Sequence, residues 1–138
     1  MFSIEYSPSA SNTPAYALIV EGWNHLVQEG FTLEDDALPP LSPESRVLFA
    51  VSDKDGDIIG VATWTAQKTV ATVGLVYVEP SSVNAGVFKA LMEALSKRLR
   101  NEKIGHVRLT VHAQNKGAQA AMRHLGQQPQ ALVYDVRL

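Results

Sequence analysis

Leu75-Val76-Tyr77-Val78-Glu79-Pro80-Ser81-Ser82-Val83-Asn84-Ala85-Gly86-Val87-Phe88-Lys89-Ala90-Leu91-Met92-Glu93-Ala94-Leu95 changes its hydrophobic period partway along. Its first part closes a nearly continuous apolar run that begins at Val70. Such a run reads as a strand covered on both faces, and so as a central one. Pro80 ends it, because proline has no N–H for a ladder. Beyond Gly86 the spacing becomes helical. Val87, Leu91, Ala94, Leu95 and Leu99 fall on one face of a helix expected from about Ser82 to Arg100. Val107, Leu109 and Val111 then alternate with Arg108, Thr110 and His112, as in a strand. A strand–helix–strand unit over residues 70–112 implies a parallel pair joined by a right-handed crossover.

On the N-terminal side, Phe2, Ile4 and Tyr6 alternate in a short half-buried strand that Pro8 stops. Asn12-Thr13-Pro14 is a helix start, with a capping side chain and then a proline. Tyr16, Ile19, Val20, Trp23, Leu26 and Val27 recur at helical spacing, and Gly30 supplies the stop, which predicts a helix over residues 13–29. Residues 32–45 carry three prolines and four acids and read as a loop with room for one helical turn. Val47–Ser52 and Ile58–Thr65 form a hairpin around Asp53-Lys54-Asp55-Gly56-Asp57. That turn lacks the later bidentate glutamate of a calcium loop, so it is read as a plain turn and no metal site is expected. Val70–Val78 is the third strand of the meander. Towards the C-terminus, Ala118, Ala121, Met122 and Leu125 mark a short helix closed by Gly126. Leu132, Tyr134, Val136 and Leu138 alternate through a last strand. The order is β-α-(loop)-β-β-β-α-β-α-β, an α/β (α+β) chain on a mixed central sheet.

Composition bounds the function. A chain of 138 residues, 46% hydrophobic and 19% charged, suits one soluble domain spanning residues 1–138. A formal net charge of −2 argues against a phosphate-tracking surface and hence against nucleic acid as partner. The basic run Lys97-Arg98-Leu99-Arg100 reads as a solvated helix face. With no cysteine there are no disulfides, thiolate zinc sites or thiol nucleophiles. The N-terminus has no basic region followed by an apolar run. No stretch approaches the roughly 18 apolar residues that span a bilayer. A cytoplasmic protein with no membrane contact is expected.

With these elements laid out, the whole chain resembles the GNAT N-acetyltransferase family. In that family a strand ending V-x-P, here Val78-Glu79-Pro80, leads into a loop of pattern Q/R-x-x-G-x-G/A and then a helix, here Ala90-Leu91-Met92-Glu93-Ala94-Leu95, at matching spacing. Asn115-Lys116-Gly117-Ala118 followed by Leu125-Gly126 resembles its N-x-x-A … L-G-F segment. The resemblance implies acetyl-CoA as cosubstrate and an amine as acceptor. It places the pyrophosphate on backbone N–H groups of Val83, Asn84, Ala85, Gly86, Val87 and Phe88, at the positive end of the following helix. It sets Val76, Tyr77 and Val78 along the pantetheine arm and brings Asn115 in from the next strand.

The chain departs from that pattern at chemically important positions. Of Val83-Asn84-Ala85-Gly86-Val87-Phe88, only Gly86 agrees with it. Val83 replaces a phosphate donor, a loss of about 1.5–3 kcal/mol. The Phe88 ring either stands in the phosphate path or turns into the core. Asn84, Ser81 and Ser82 either replace the lost donor or cap the helix. Met122 stands where many members carry an acidic tyrosine, Gln127 stands where the phenylalanine would be, and Val70–Gly74 hold no carboxylate. The remaining titratable candidates are Tyr77 as acid and His112 as base, against the plain readings of a packed aromatic and a solvent-facing strand histidine. His25, His106 and His124 show no metal-ligand spacing and read as surface or interface residues; Trp23 and Trp64 read as core. Glu34-Asp35-Asp36 either draws in a cationic amine or is simply solvated. Two functions follow. One is an acyl-CoA-dependent N-acetyltransferase working by direct transfer in a ternary complex. The other is a catalytically silent GNAT-like module, a homodimer or a partner-binding domain, using the free edge left where the chain ends soon after its last strand.

Overall fold

Strand alternation in the meander dictates a layered structure, because each strand carries two apolar sets that need separate cover. The computed structural model describes residues 1–32, 38–134, 136 and 138. Among these, β1 (Phe2–Ser7), β2 (Arg46–Ser52), β3 (Ile58–Gln67) and β4 (Val70–Val78) pair antiparallel in sequence order, and β5 (His106–Leu109) joins β4 in parallel. Helix α1 (Tyr16–Glu29) covers one face and α2 (Val87–Asn101) the other; α3 (Lys116–His124) follows β5. No helix among the described residues is long and apolar enough to cross a membrane.

The side chains of β2 show the division. Val47 and Phe49 pack with Leu18 and Ile19 of α1, together with Val61 and Leu75. Leu48 and Ala50 pack with Leu91, Leu95 and Leu99 of α2, together with Ala62, Trp64 and Val73. Trp23 and Trp64 are buried, as their apolar surroundings in the sequence suggest. Gly60 lets α2 approach β3: a Cβ there would lie 2.5 Å from Val87 Cγ1.

The hairpin strands each run one or two residues longer than expected, to Arg46–Ser52 and Ile58–Gln67, and larger differences fall in four places. α1 begins at Tyr16 rather than residue 13, because the Thr13 hydroxyl accepts from the Ala15 N–H at 3.3 Å and the Ala15 carbonyl is the first helical acceptor. Asn12 therefore caps nothing in α1. α2 begins at Val87 rather than Ser82, because Pro80–Ser82 closes a separate 3₁₀ turn and Gly86 breaks the path with φ +79°. β5 stops at Leu109, short of Val111 and His112, because β4 offers it no partner beyond Val73. The described residues after α3 form no strand: Leu132, Val133, Tyr134, Val136 and Leu138 stand exposed. The acidic run Glu34-Asp35-Asp36 lies outside the described residues. The aspartate-rich turn uses its carboxylate internally, Asp55 Oδ1 accepting from the Asp57 N–H at 3.0 Å.

Candidate active site

The β4–β5 ladder runs from Val70 opposite His106 to Val73 opposite Leu109, and there it ends. β4 continues to Val78 with β3 as its ladder partner. The parting coincides with a bulge: Trp64 pairs with Val73 and Thr63 with Leu75, which leaves Gly74 as the extra residue. A bulge bends its strand and increases the local twist, opening a notch between β4 and β5. The phase beyond it is fixed by the Glu79 N–H, which donates to the Ile59 carbonyl at 2.9 Å. Successive residues of an antiparallel strand face opposite neighbours. Leu75 and Tyr77 therefore direct their backbone groups to β3, while Val76 and Val78 turn theirs into the notch.

The loop beyond β4 is organised around Glu79. Its carboxylate accepts from the Ser81 hydroxyl at 2.6 Å, the Ser82 hydroxyl at 3.0 Å and the Ser81 N–H at 3.3 Å. These bonds hold its pKa below the ordinary carboxylate value. Ser81 and Ser82 are thus engaged inside the turn. Val83 is 57% exposed. Phe88 is half-buried and belongs to neither core cluster, whereas its neighbour Val87 is buried. Gly86 serves the backbone: a Cβ there would meet nothing within 4 Å, but φ +79° is left-handed. The first amides of α2, on Val87, Phe88 and Lys89, lie beyond the reach of any carbonyl of their own helix. They carry the positive end of the helix dipole. That end suits an anion, and the open β4 edge suits an amide-bearing chain, so the residues fit a CoA ester; the Glu79 charge nearby weakens the anion end.

Tyr77 projects from β4 towards α1. Its Cβ and Cγ lie so close to Gly22 that a Cβ on residue 22 would come within 2.7 Å of both. Its ring centroid is 5.7 Å from that of His25, tilted by 44°. Burial pushes its pKa up, aided by the nearby Glu21 carboxylate and by the Glu79 charge. The hydroxyl therefore keeps its proton at neutral pH and acts as a donor. Beside it runs a surface groove lined by Val20, Glu21, Asn24, His25, Gln28 and Tyr77. Glu21 and His25 are exposed and one helical turn apart on α1, so they share a face. Sequence reading selected Tyr77 but took His25 as a surface residue and passed over Glu21. The signal was present: a carboxylate and an imidazole at i and i+4, flanking the apolar stripe of α1.

His112 lies past the end of β5, not on a strand. Its Nδ1 accepts from the Gln114 N–H at 3.0 Å, and its ring leans on Phe31 with centroids 6.3 Å apart. With that lone pair engaged, the neutral ring carries its proton on Nε2 and offers a donor there. Phe31 follows the α1 cap, so this contact ties the segment after β5 to the end of α1. Asn115 is the N-cap of α3 rather than a residue of the next strand: its Oδ1 accepts from the Ala118 N–H at 3.1 Å. The structure thus gathers Tyr77, Glu21 and His25 around one groove and sets His112 against Phe31.

The bulged β4 thus parts from its parallel neighbour in an α/β domain, with the N-terminus of α2 following it in the chain. Residues 12–127 match the family model described as Acetyltransferase (GNAT) family, and the chain belongs to that family. The family generally uses acetyl-CoA and an amine acceptor. Solved structures share the fold at low identity. A ribosomal-protein-alanine N-acetyltransferase from Brucella melitensis biovar Abortus superposes with TM-score 0.74 at 13% identity, covering 99% of each chain. An aminoglycoside acetyltransferase from an uncultured soil metagenomic sample gives 0.73 at 15%, covering 99% of this chain and 96% of the other. An acetyltransferase of Trypanosoma brucei gives 0.67 at 20%, covering 100% of both. In sequence, no curated protein matches the chain.

Proposed function

We propose that the chain is a single N-acetyltransferase domain, which binds acetyl-CoA in the β4–β5 notch and transfers the acetyl group directly to an amine. The observation that carries this reading is the open β4 edge at Val76 and Val78 running into the N-terminus of α2. The two residues' backbone groups hold the pantetheine arm, and the amides of Val87, Phe88 and Lys89 hold the pyrophosphate. The bound cosubstrate supplies a thioester carbonyl as electrophile. Two reactants fixed side by side need little further chemistry from the protein. Tyr77, which keeps its proton, is the acid for the departing sulfur. His112, with Nδ1 engaged, orients the notch wall and gives up the role of base. Asn115 acts through the start of α3. The protein is read as cytoplasmic, and its acceptor as a small-molecule or protein amine.

Calorimetric titration with acetyl-CoA and with free CoA tests this. Saturable binding of both is expected. Val83→Arg should tighten it roughly tenfold or more, since one charged hydrogen bond contributes about 1.5–3 kcal/mol. Absence of binding to both ligands would overturn the reading. It would favour instead a silent module, which the engagement of Ser81 and Ser82 by Glu79 also supports. In that case the exposed Leu132, Val133 and Tyr134 offer an apolar surface for a homodimer.

A further inference from the structure

The groove beside Tyr77 has a charge and a shape that the family's loop motifs do not specify. One wall is α1, contributing Glu21, Asn24, His25 and Gln28. The other is Tyr77, whose backbone belongs to β4 at the notch. Among the described residues lining it there is a carboxylate, an imidazole, a phenol and two amides, and no lysine or arginine. The first half of β4, Val70–Gly74, holds no carboxylate. α1 puts a carboxylate and an imidazole next to the same strand from the side.

We propose that this groove is the acceptor site, that Glu21 holds the ammonium of an aliphatic primary amine, and that His25 takes the proton which frees its lone pair. The inference rests on the acetyltransferase reading above. Glu21 supplies the negative charge that draws a cation, and it lines the same groove as Tyr77 of β4. His25 lies beside the same ring, and imidazole is suited to exchanging protons near neutrality. The deprotonated nitrogen attacks the thioester carbonyl carbon. The carbon–nitrogen bond forms, the carbon–sulfur bond breaks, and the sulfur leaves as a thiolate. That thiolate takes a proton from the Tyr77 hydroxyl, which recovers one from the N–H of the new amide nitrogen. The proton held by His25 passes to water through the open side of the groove.

Specificity follows from the charge. An amine on an aliphatic chain, whether of a free diamine or a lysine side chain, meets Glu21 and the amides of Asn24 and Gln28. An α-amine next to its own carboxylate meets Glu21 as a like charge and is disfavoured.

The test uses the whole chain with acetyl-CoA and three acceptors: cadaverine, lysine amide blocked at its α-nitrogen, and glycine. Released thiol gives kcat and KM separately, and amide shifts of Gly22 and Tyr77 report amine binding without turnover. Cadaverine or the blocked lysine should be acetylated and should shift both amides, while glycine should do neither. The better of the two distinguishes a small-molecule from a protein source. Glu21→Gln should raise the amine KM tenfold or more and abolish the shifts. His25→Gln should lower kcat tenfold or more at unchanged KM. Both variants should bind acetyl-CoA like wild type, which shows that they fold. If acetyl-CoA binds but both variants transfer normally, or no aliphatic amine shifts Gly22 and Tyr77, the inference fails and the acetyltransferase reading stands. If acetyl-CoA does not bind, that reading falls and takes the inference with it.

Discussion

Gly22 and Tyr77 meet across a gap that leaves room only for hydrogen on the α-carbon of residue 22. The atoms that a methyl group would strike are the root of the Tyr77 side chain, which cannot swing aside without moving β4. Gly22→Ala should therefore destabilise the protein by about 1–3 kcal/mol, the range for overpacking a filled site. Chemical denaturation would measure the loss, and the displaced Tyr77 should weaken the amine-induced shifts. Glu79 makes a different prediction, because its pKa is lowered in the fold by Ser81 and Ser82. A carboxylate with a depressed folded value contributes stability that is complete above its ordinary value of 4.5 and is lost as pH falls through the lower folded value. Thermal midpoints measured from neutral pH downward should fall less steeply for Glu79→Gln than for wild type across that window. The group is exposed, so the difference should shrink with added salt.

At the scale of elements, the junction between β4 and α2 decides how the site is made. Sequence periodicity carries the helix back to about Ser82, yet it starts at Val87 because Glu79 draws Ser81 and Ser82 into a separate turn. Gly86 then turns the chain through a left-handed residue that faces open space. Gly86→Ala should cost about 1–2 kcal/mol through backbone strain alone. Urea unfolding with an unchanged m-value would confirm that no packing is lost. The same junction leaves the α2 amides free for an anion, and Val83→Arg places a cation next to them. The expected rise in CoA affinity therefore tests the geometry of the element as well as the chemistry of one residue.

In the whole molecule, stability resides in two apolar layers separated by the sheet. Ile19 is buried in the layer under α1 and Leu91 in the layer under α2, and they belong to different clusters. Each truncation to alanine should cost about 2–5 kcal/mol. The double variant should lose the sum to within about 0.5 kcal/mol, because the two sites share no partner. Calorimetric unfolding of the three variants measures this. Tyr134 is 80% exposed, and Tyr134→Asp should leave monomer stability nearly unchanged. If a dimer forms in solution, the same substitution should shift it towards monomer in light scattering.

The sequence by itself determined the order of elements as far as α3, since hydrophobic period is local and survives without knowledge of contacts. β4 runs over Val70–Val78 as its apolar run implies, and the inward stripe of α2 holds at Val87, Leu91, Leu95 and Leu99. Tyr77 was legible as a candidate because it is a titratable residue on that strand just before the loop. The tertiary structure alone decided where β5 leaves β4, since the bulge at Gly74 depends on pairing with Thr63 and Trp64 across the sheet. It also decided that Asn115 caps a helix and that His112 is tied by Gln114. Above all it brought Glu21 and His25, more than fifty residues away in the chain, beside Tyr77. A period of 3.6 residues says which face of α1 is polar, but only the packing of Gly22 on Tyr77 says what that face borders.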